Sequence, residues 1–352
     1  MNMSIEFPQT LTEAIGYFSD ADRSHEFVKA IHWPDGRVKC THCGSEAVTY
    51  MKSCRRWNCR GCKRQFSVKN GTIFEESPLG FDKWLPAFWM IVNAKNGISS
   101  CEIARALGVT QKTAWFMLHR IRYAIQDGSS CKFAGNVEVD ETFIGGKSRN
   151  MNSAQRRKHS NRAGHGVMTP VQGLLERGTP DKASRVALMH VRRMHRNELQ
   201  GNVREYVLKG ANVYTDENKS YNGLSSDYVH QVINHAVCYA KGHVHTNGLE
   251  NFWSLLKRTI RGTYVSVEPF HLFRYLDEQA FRFNERKGTD AERFLKGILG
   301  VIGKRLRYVK LIGNEGDTTK PETTGPGETQ ENKKRHMRHK PFGGYFCGPL
   351  PA

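Results

Sequence analysis

Seven side chains in this sequence have types and spacings suited to metal chemistry. Four are cysteines: Cys40 and Cys43 form a CTHC pair and Cys59 and Cys62 a CRGC pair, at the spacing C-x2-C-x15-C-x2-C. Each CxxC makes a tight turn that aims two thiolates at one tetrahedral centre, so the four residues are expected to hold one structural Zn²⁺. Cys54 falls outside both pairs and is not assigned to the metal. The other three are the acids Asp140, Asp216 and Glu250. In NVEVDETFIGG, strand alternation puts Val137 and Val139 on one face and Glu138, Asp140 and Thr142 on the other. A carboxylate on a central strand is costly without a partner, and a divalent cation is one. Asp216 closes a second apolar strand in ANVYTDENKSY, at an edge of the kind where ligands gather in α/β sheets. Glu250 lies in NGLENFWSLLKR. On a helix advancing about 100° per residue, Lys257 and Arg261 fall about 20° to either side of Glu250. Phe252, Leu255 and Leu256 fall opposite. Taken alone, that stretch reads first as a solvated helix face. Three acids from strand, strand and helix instead suit Mg²⁺ or Mn²⁺, which prefer hard oxygen ligands. Two such ions about 4 Å apart clamp the attacking and leaving oxygens of a phosphodiester displacement.

The elements that must position these groups are legible in outline. Residues 10 to 32 read as two short helices, with a Thr10/Glu13 capping box and an apolar stripe of Leu11, Ala14, Ile15 and Phe18. The basic cysteine segment has little core of its own, so its metal supplies much of its folding free energy. Lys39, Lys52, Arg55, Arg56, Arg60, Lys63 and Arg64 crowd around it and point to phosphate. In NGISSCEIARALGVTQKTAWFMLHRIRYAI, Ser99 and Glu102 form a capping box and Ile98 and Ile103 a hydrophobic staple. Gly108 ends that helix, and Thr110 caps a second whose inner face is Ala114, Met117, Leu118 and Ile121. This is a helix-turn-helix pattern, which would bring Gln111 and Lys112 to DNA. Strands follow from Gly135 to about Tyr214, interrupted by a helix near Asn197 to Leu208, and the chain turns helical again from His245 to about Arg286.

Composition narrows the partner. The 352 residues carry a net charge of +19 and are 38% hydrophobic. So basic a chain with room for several cores points to a polyanion, and double-stranded DNA is the expected partner. KSRNMNSAQRRKHSNR, from Lys147 to Arg162, is a candidate DNA clamp that includes Arg156, Arg157 and Lys158. No run of 18 apolar residues and no secretory start are present, so no membrane partner is expected and a cytoplasmic, nucleoid-associated location is. Nine cysteines, four of them in tight pairs, fit a reducing compartment. Beyond Gly313 the sequence is polar and rich in Gly, Pro and Thr, and reads as a disordered tail.

Three blocks resemble a known family. "VEVDETFIGGK", "VYTDENKSYNGL" and "HTNGLENFWSLLKRTIRGTYVSVEPFHLFRYLDEQAFRFNER" resemble the catalytic blocks of bacterial insertion-sequence transposases of the DDE class. The branch is the ISXO-two-like (insertion-sequence fifteen-ninety-five) group, and the zinc ribbon resembles that branch too. The resemblance implies a ribonuclease-H-like catalytic domain, two-metal phosphoryl transfer on DNA, binding to terminal inverted repeats and a homo-oligomer on DNA. It carries Asp140 and Asp216 over as catalytic acids. The third position falls to Glu250 or to Asn247, one helical turn earlier. Lys257, seven residues after Glu250, takes the family's basic position, with Arg258 and Arg261 beside it on the DNA path. His245 would orient the site or contact DNA. The expected fold is therefore α+β and multidomain: an N-terminal helical segment (1–37), a zinc ribbon (38–72), a helix-turn-helix (78–130), a ribonuclease-H-like domain with a mixed sheet and flanking helices (133–300) and a tail (313–352).

Overall fold

The computed structural model describes residues 7–126, 132–145, 153, 168–192, 194–233 and 245–313. The Arg156–Arg157–Lys158 cluster and the tail beyond Gly313 lie outside them. Among the described residues, no helix is long and apolar enough to cross a membrane.

The N-terminal helices form where their caps predict. Thr10 and Glu13 exchange capping-box bonds at the start of α1 (Leu11–Ser19), and the Asp20 carboxylate accepts two backbone N–H bonds at the start of α2 (Ala21–His32). Only half of the α1 stripe is inside. Ala14 and Phe18 are buried, whereas Leu11 and Ile15 are 37% and 48% exposed. The reason lies in the partner: Phe18 packs against Phe27 and Phe294, and those rings cover only one side of the helix.

Three short antiparallel strands, β1 (Val48–Met51), β2 (Arg56–Cys59) and β3 (Gln65–Phe66), carry the cysteine knuckles. Trp57 and Phe66 face each other across β2 and β3 and sink into the same core as α1 and α2. α3 (Phe81–Asn93), α4 (Ser100–Leu107) and α5 (Gln111–Ala124) follow. Both reciprocal bonds of the Ser99/Glu102 box are made, and Gly108 takes the left-handed conformation, φ 64°, that turns α4 into α5. Ala114, Met117, Leu118 and Ile121 are all buried.

The second layer is a mixed five-stranded sheet in the order β6-β5-β4-β7-β8. β4 (Asn136–Ile144), β5 (Thr169–Glu176) and β6 (Arg185–His190) form an antiparallel meander; β7 (Asn212–Thr215) and β8 (Val229–Val232) add on parallel to β4. β8 has no counterpart in the sequence reading. Its valines are half exposed at the sheet edge, so no buried face leaves an apolar alternation. α6 (Arg196–Tyr206) covers one face; α7 (Asn247–Thr259) and α8 (Leu272–Asn284) cover the other. This is the α+β arrangement expected, with the acid-bearing strand in the middle and helices on both faces. A π-helical turn, Ile260–Tyr264, and a 3-10 turn, Pro269–His271, interrupt the last helical stretch. α9 (Asp290–Leu299), grouped with the catalytic segment on sequence grounds, instead packs into the N-terminal core through Phe294 and Ile298; the short α10 (Tyr308–Leu311) ends the described chain.

Candidate active site

The four paired cysteines converge. Cys40 Sγ and Cys62 Sγ lie 3.7 Å apart, and Cys43 Sγ and Cys59 Sγ 3.5 Å. All four sulfurs fall within 4.8 Å of one another. A tetrahedral Zn²⁺ with bonds of about 2.3 Å sets its sulfurs roughly 3.8 Å apart, so the four fit that ion. Backbone N–H groups of His42 and Cys62 point at the sulfurs of Cys40 and Cys59. The Cys62 N–H holds the Cys59 thiol down, to about 6. Cys54 is exposed and stands apart from the cluster.

A second group forms in the large sheet, where β7 ends beside β4. β4 carries Asp140 and Glu141, and Asp216 follows the last residue of the neighbouring β7. One carboxylate oxygen from each of the three lies within 4.8 Å of the others. Burial raises the Asp140 pKa, and the charges of Asp216 and Glu250 raise it further. Burial pushes Glu141 up to about 8, with Asp216 and Asp140 adding to the shift. Such crowding of like charges is what a bound cation relieves, and an all-oxygen donor set fits Mg²⁺ or Mn²⁺. The oxygens are also aimed. Trp253 Nε1 donates to Asp140 Oδ2 at 2.9 Å, the Tyr221 hydroxyl donates to Glu141, and the Asn218 N–H donates to Asp216 Oδ1 at 3.1 Å.

Glu250 lies outside this group of three. It is exposed on the first turn of α7, with Asn247, also exposed, at the helix start. Its charge is nevertheless felt at Asp140. What fixes α7 beside the acids is Glu138, two residues before Asp140 and fully buried. Its carboxylate accepts the Leu249 N–H at 2.9 Å, a negative group at the positive end of the helix dipole, and pairs with Arg177 at 2.7 Å. His245 Nδ1 stands 3.4 Å from the same carboxylate, and Arg177 also donates to the His245 carbonyl. His245 thus helps orient the start of α7.

Against known proteins, residues 132–284 match the ISXO2-like transposase domain, and residues 19–65 match a transposase zinc-ribbon domain. Together the two matches span more than half of the chain. The chain thus carries an ISXO2-like transposase domain and a transposase zinc ribbon. It is also 28% identical, over 262 residues, to an uncharacterized protein in transposable element ISH50 of Halobacterium salinarum, an alignment covering 68% of this chain and 83% of that protein.

In this transposase domain the basic residues trace one face. Asn247, Glu250, Ser254, Arg258 and Arg261 are exposed and Lys257 is half-buried, all on the outer side of α7 and the turn that follows. On the helix-turn-helix, Gln111 and Lys112 are exposed at the start of α5; Gln111 donates to Ser100 Oγ, and the Lys112 ammonium sits over the Tyr308 ring. Beyond its first turn α5 is covered, Trp115 by His271 and Phe116 by Tyr308. The seven ribbon cations are exposed, though Arg55 is engaged by Asp22 and Lys39 by Glu46.

Glu141, Trp253 and Tyr221 belong to the site without being singled out by any motif in the sequence. The signal for Glu141 was present as a second acid beside Asp140, but strand alternation sends it to the opposite face. Only the end of β7 beside the middle of β4 lets acids from both faces of β4 meet Asp216.

Proposed function

We propose that this protein is a DNA transposase that cuts the ends of its own insertion sequence and joins them to target DNA. The observation that carries the reading is the convergence of Asp140, Glu141 and Asp216 where β7 ends beside β4, inside the segment that matches a transposase domain. These three residues, with Glu250 or Asn247 from α7, would hold Mg²⁺ or Mn²⁺, two ions in the full site. The ions would supply Lewis-acid stabilisation of the developing phosphorane charge and a lowered pKa for the attacking water or 3′-hydroxyl. Trp253 fixes the Asp140 carboxylate, Tyr221 fixes Glu141, and Glu138 with Arg177 and His245 holds α7 in register with both. Lys257, Arg258 and Arg261 would line the phosphate path. Gln111 and Lys112, with the ribbon cations, would bind the terminal inverted repeats, and Arg156, Arg157 and Lys158 would clamp DNA. Reaction at two DNA ends calls for at least two copies of the chain on DNA, in the compartment that holds the chromosome.

The test is incubation of the zinc-loaded chain with duplexes carrying the element's ends, a supercoiled target plasmid and Mn²⁺, read by sequencing the junctions. Wild type should join ends to target, and Asp140→Ala should neither nick nor join. Cleavage without junctions would reduce the protein to a nuclease. Binding without metal-dependent cleavage would reduce it to a DNA-binding regulator.

A further inference from the structure

One segment of the transposase domain has a shape that metal chemistry does not explain. The π-helical turn after α7 ends at Val265, with φ 60° and ψ −58°. The Ser266 N–H bonds back to the Tyr264 carbonyl at 2.6 Å, closing a γ-turn of the rare positive-φ kind with Val265 at its apex. A β-branched residue is the least suited to that conformation. The side chain is also 76% exposed, so no core contact compensates for the strain.

The turn is held firmly from below. Thr263 Oγ1 donates to the Asn96 carbonyl, just ahead of the helix-turn-helix. The Tyr264 ring packs on Tyr275, and its hydroxyl donates to the buried Glu278. A strained, solvent-facing apolar residue on a rigid base marks a functional contact.

The surroundings select the partner. Val265 lies at the far end of the exposed α7 stripe, past Arg258 and Arg261. A second copy would bring the same cations to the same place, and like charges repel there. Arginines leading to a protruding apolar side chain instead match proteins that grip phosphates and push a wedge between base pairs. The helical rise puts Val265 roughly 20 Å from Glu250, about six base-pair steps along a duplex lying on α7.

We propose that Val265 is an apolar wedge that enters a base step of duplex DNA bound along α7 and unstacks it. This rests on reading the chain as a DNA-cutting transposase. The test uses the zinc-loaded full chain and two duplexes of about 30 base pairs, one fully paired and one with a central two-nucleotide bulge, each with 2-aminopurine at the central step. Wild type should bind the bulged duplex roughly tenfold more tightly and brighten the probe in the paired one. Val265→Gly should bind both duplexes equally and leave the probe in the paired one dark. Glycine accepts positive φ freely, so this variant should melt at or above the wild-type temperature and its loss cannot be misfolding. Arg258→Ala with Arg261→Ala should weaken both complexes alike. If Val265→Gly keeps the bulge preference and the brightening, the wedge falls and DNA binding stands. A change in sedimentation on Val265→Gly would also overturn it, by revealing a contact between copies. If wild type binds neither duplex, the wedge and the transposase reading fall together.

Discussion

Asp140, Glu141 and Asp216 crowd three carboxylates together, and the metal-free protein bears that repulsion without benefit. Asp216→Ala should therefore melt no lower than wild type when metal is absent, because it relieves Asp140 and Glu141. Added Mn²⁺ should stabilise wild type by about 2.7 kcal/mol at a hundredfold excess over Kd, and this variant hardly at all. Differential scanning fluorimetry with and without Mn²⁺ reads both effects. A different residue governs acid sensitivity. His119, in the middle of α5, is fully buried among Trp115, His271 and Tyr275, and neither ring nitrogen has a partner among the described residues. Burial drives its pKa far below 6.5, and the charges of Arg122, His271 and Arg274 add to this. The folded state keeps the ring neutral while the unfolded chain protonates it, so stability falls as pH drops below about 6.5. His119→Phe should flatten that fall and raise stability near neutral pH by about 1 kcal/mol, measured by urea unfolding between pH 4 and pH 8.

At the scale of elements, the site depends on how closely α7 lies on the sheet. Gly173 on β5 stands opposite Asp140 in register. A Cβ there would come within 2.6 Å of the Trp253 ring, which donates to Asp140. Gly173→Ala should push the indole away, cost roughly 1–3 kcal/mol and lower DNA nicking more than DNA affinity. Comparing nicking rates with duplex binding separates those effects. The helix-turn-helix was readable at this scale because its caps, its left-handed glycine and its inner face are all set by residues within four positions of each other. β8 was not, because a half-exposed edge strand has no buried face to leave a pattern.

Across the whole molecule, the zinc ribbon and the helices form one core. Cys40, Trp57, Cys59 and Phe66 are buried together with Phe18, Trp84 and Phe294 of α1, α3 and α9. α5 is joined to α8 by a buried ion group, in which Glu278 pairs with Arg122 at 2.6 Å and with Arg282. Burial alone would raise the Glu278 pKa, but the two guanidinium groups outweigh it and hold the carboxyl below its usual range. Zinc removal should therefore do more than unravel a small module. Chelation, or Cys40→Ser, should lower the melting temperature of the entire N-terminal unit and red-shift tryptophan emission as Trp33, Trp57 and Trp84 become exposed. An unchanged melting curve beyond the ribbon would contradict the shared core.

By itself, the sequence determined the four-cysteine cluster, the helix caps, the helix-turn-helix and the family to which the three acidic blocks belong. Each of these is written in short spacings, where a turn or a helical period fixes geometry without reference to the rest of the chain. The tertiary structure alone decided that Glu141 joins Asp140 and Asp216, that Gly173 makes room for Trp253, and that α9 returns to the N-terminal core. Those outcomes depend on which strand lies beside which and on where a distant helix comes to rest. Contacts across tens to hundreds of residues leave no local period to read.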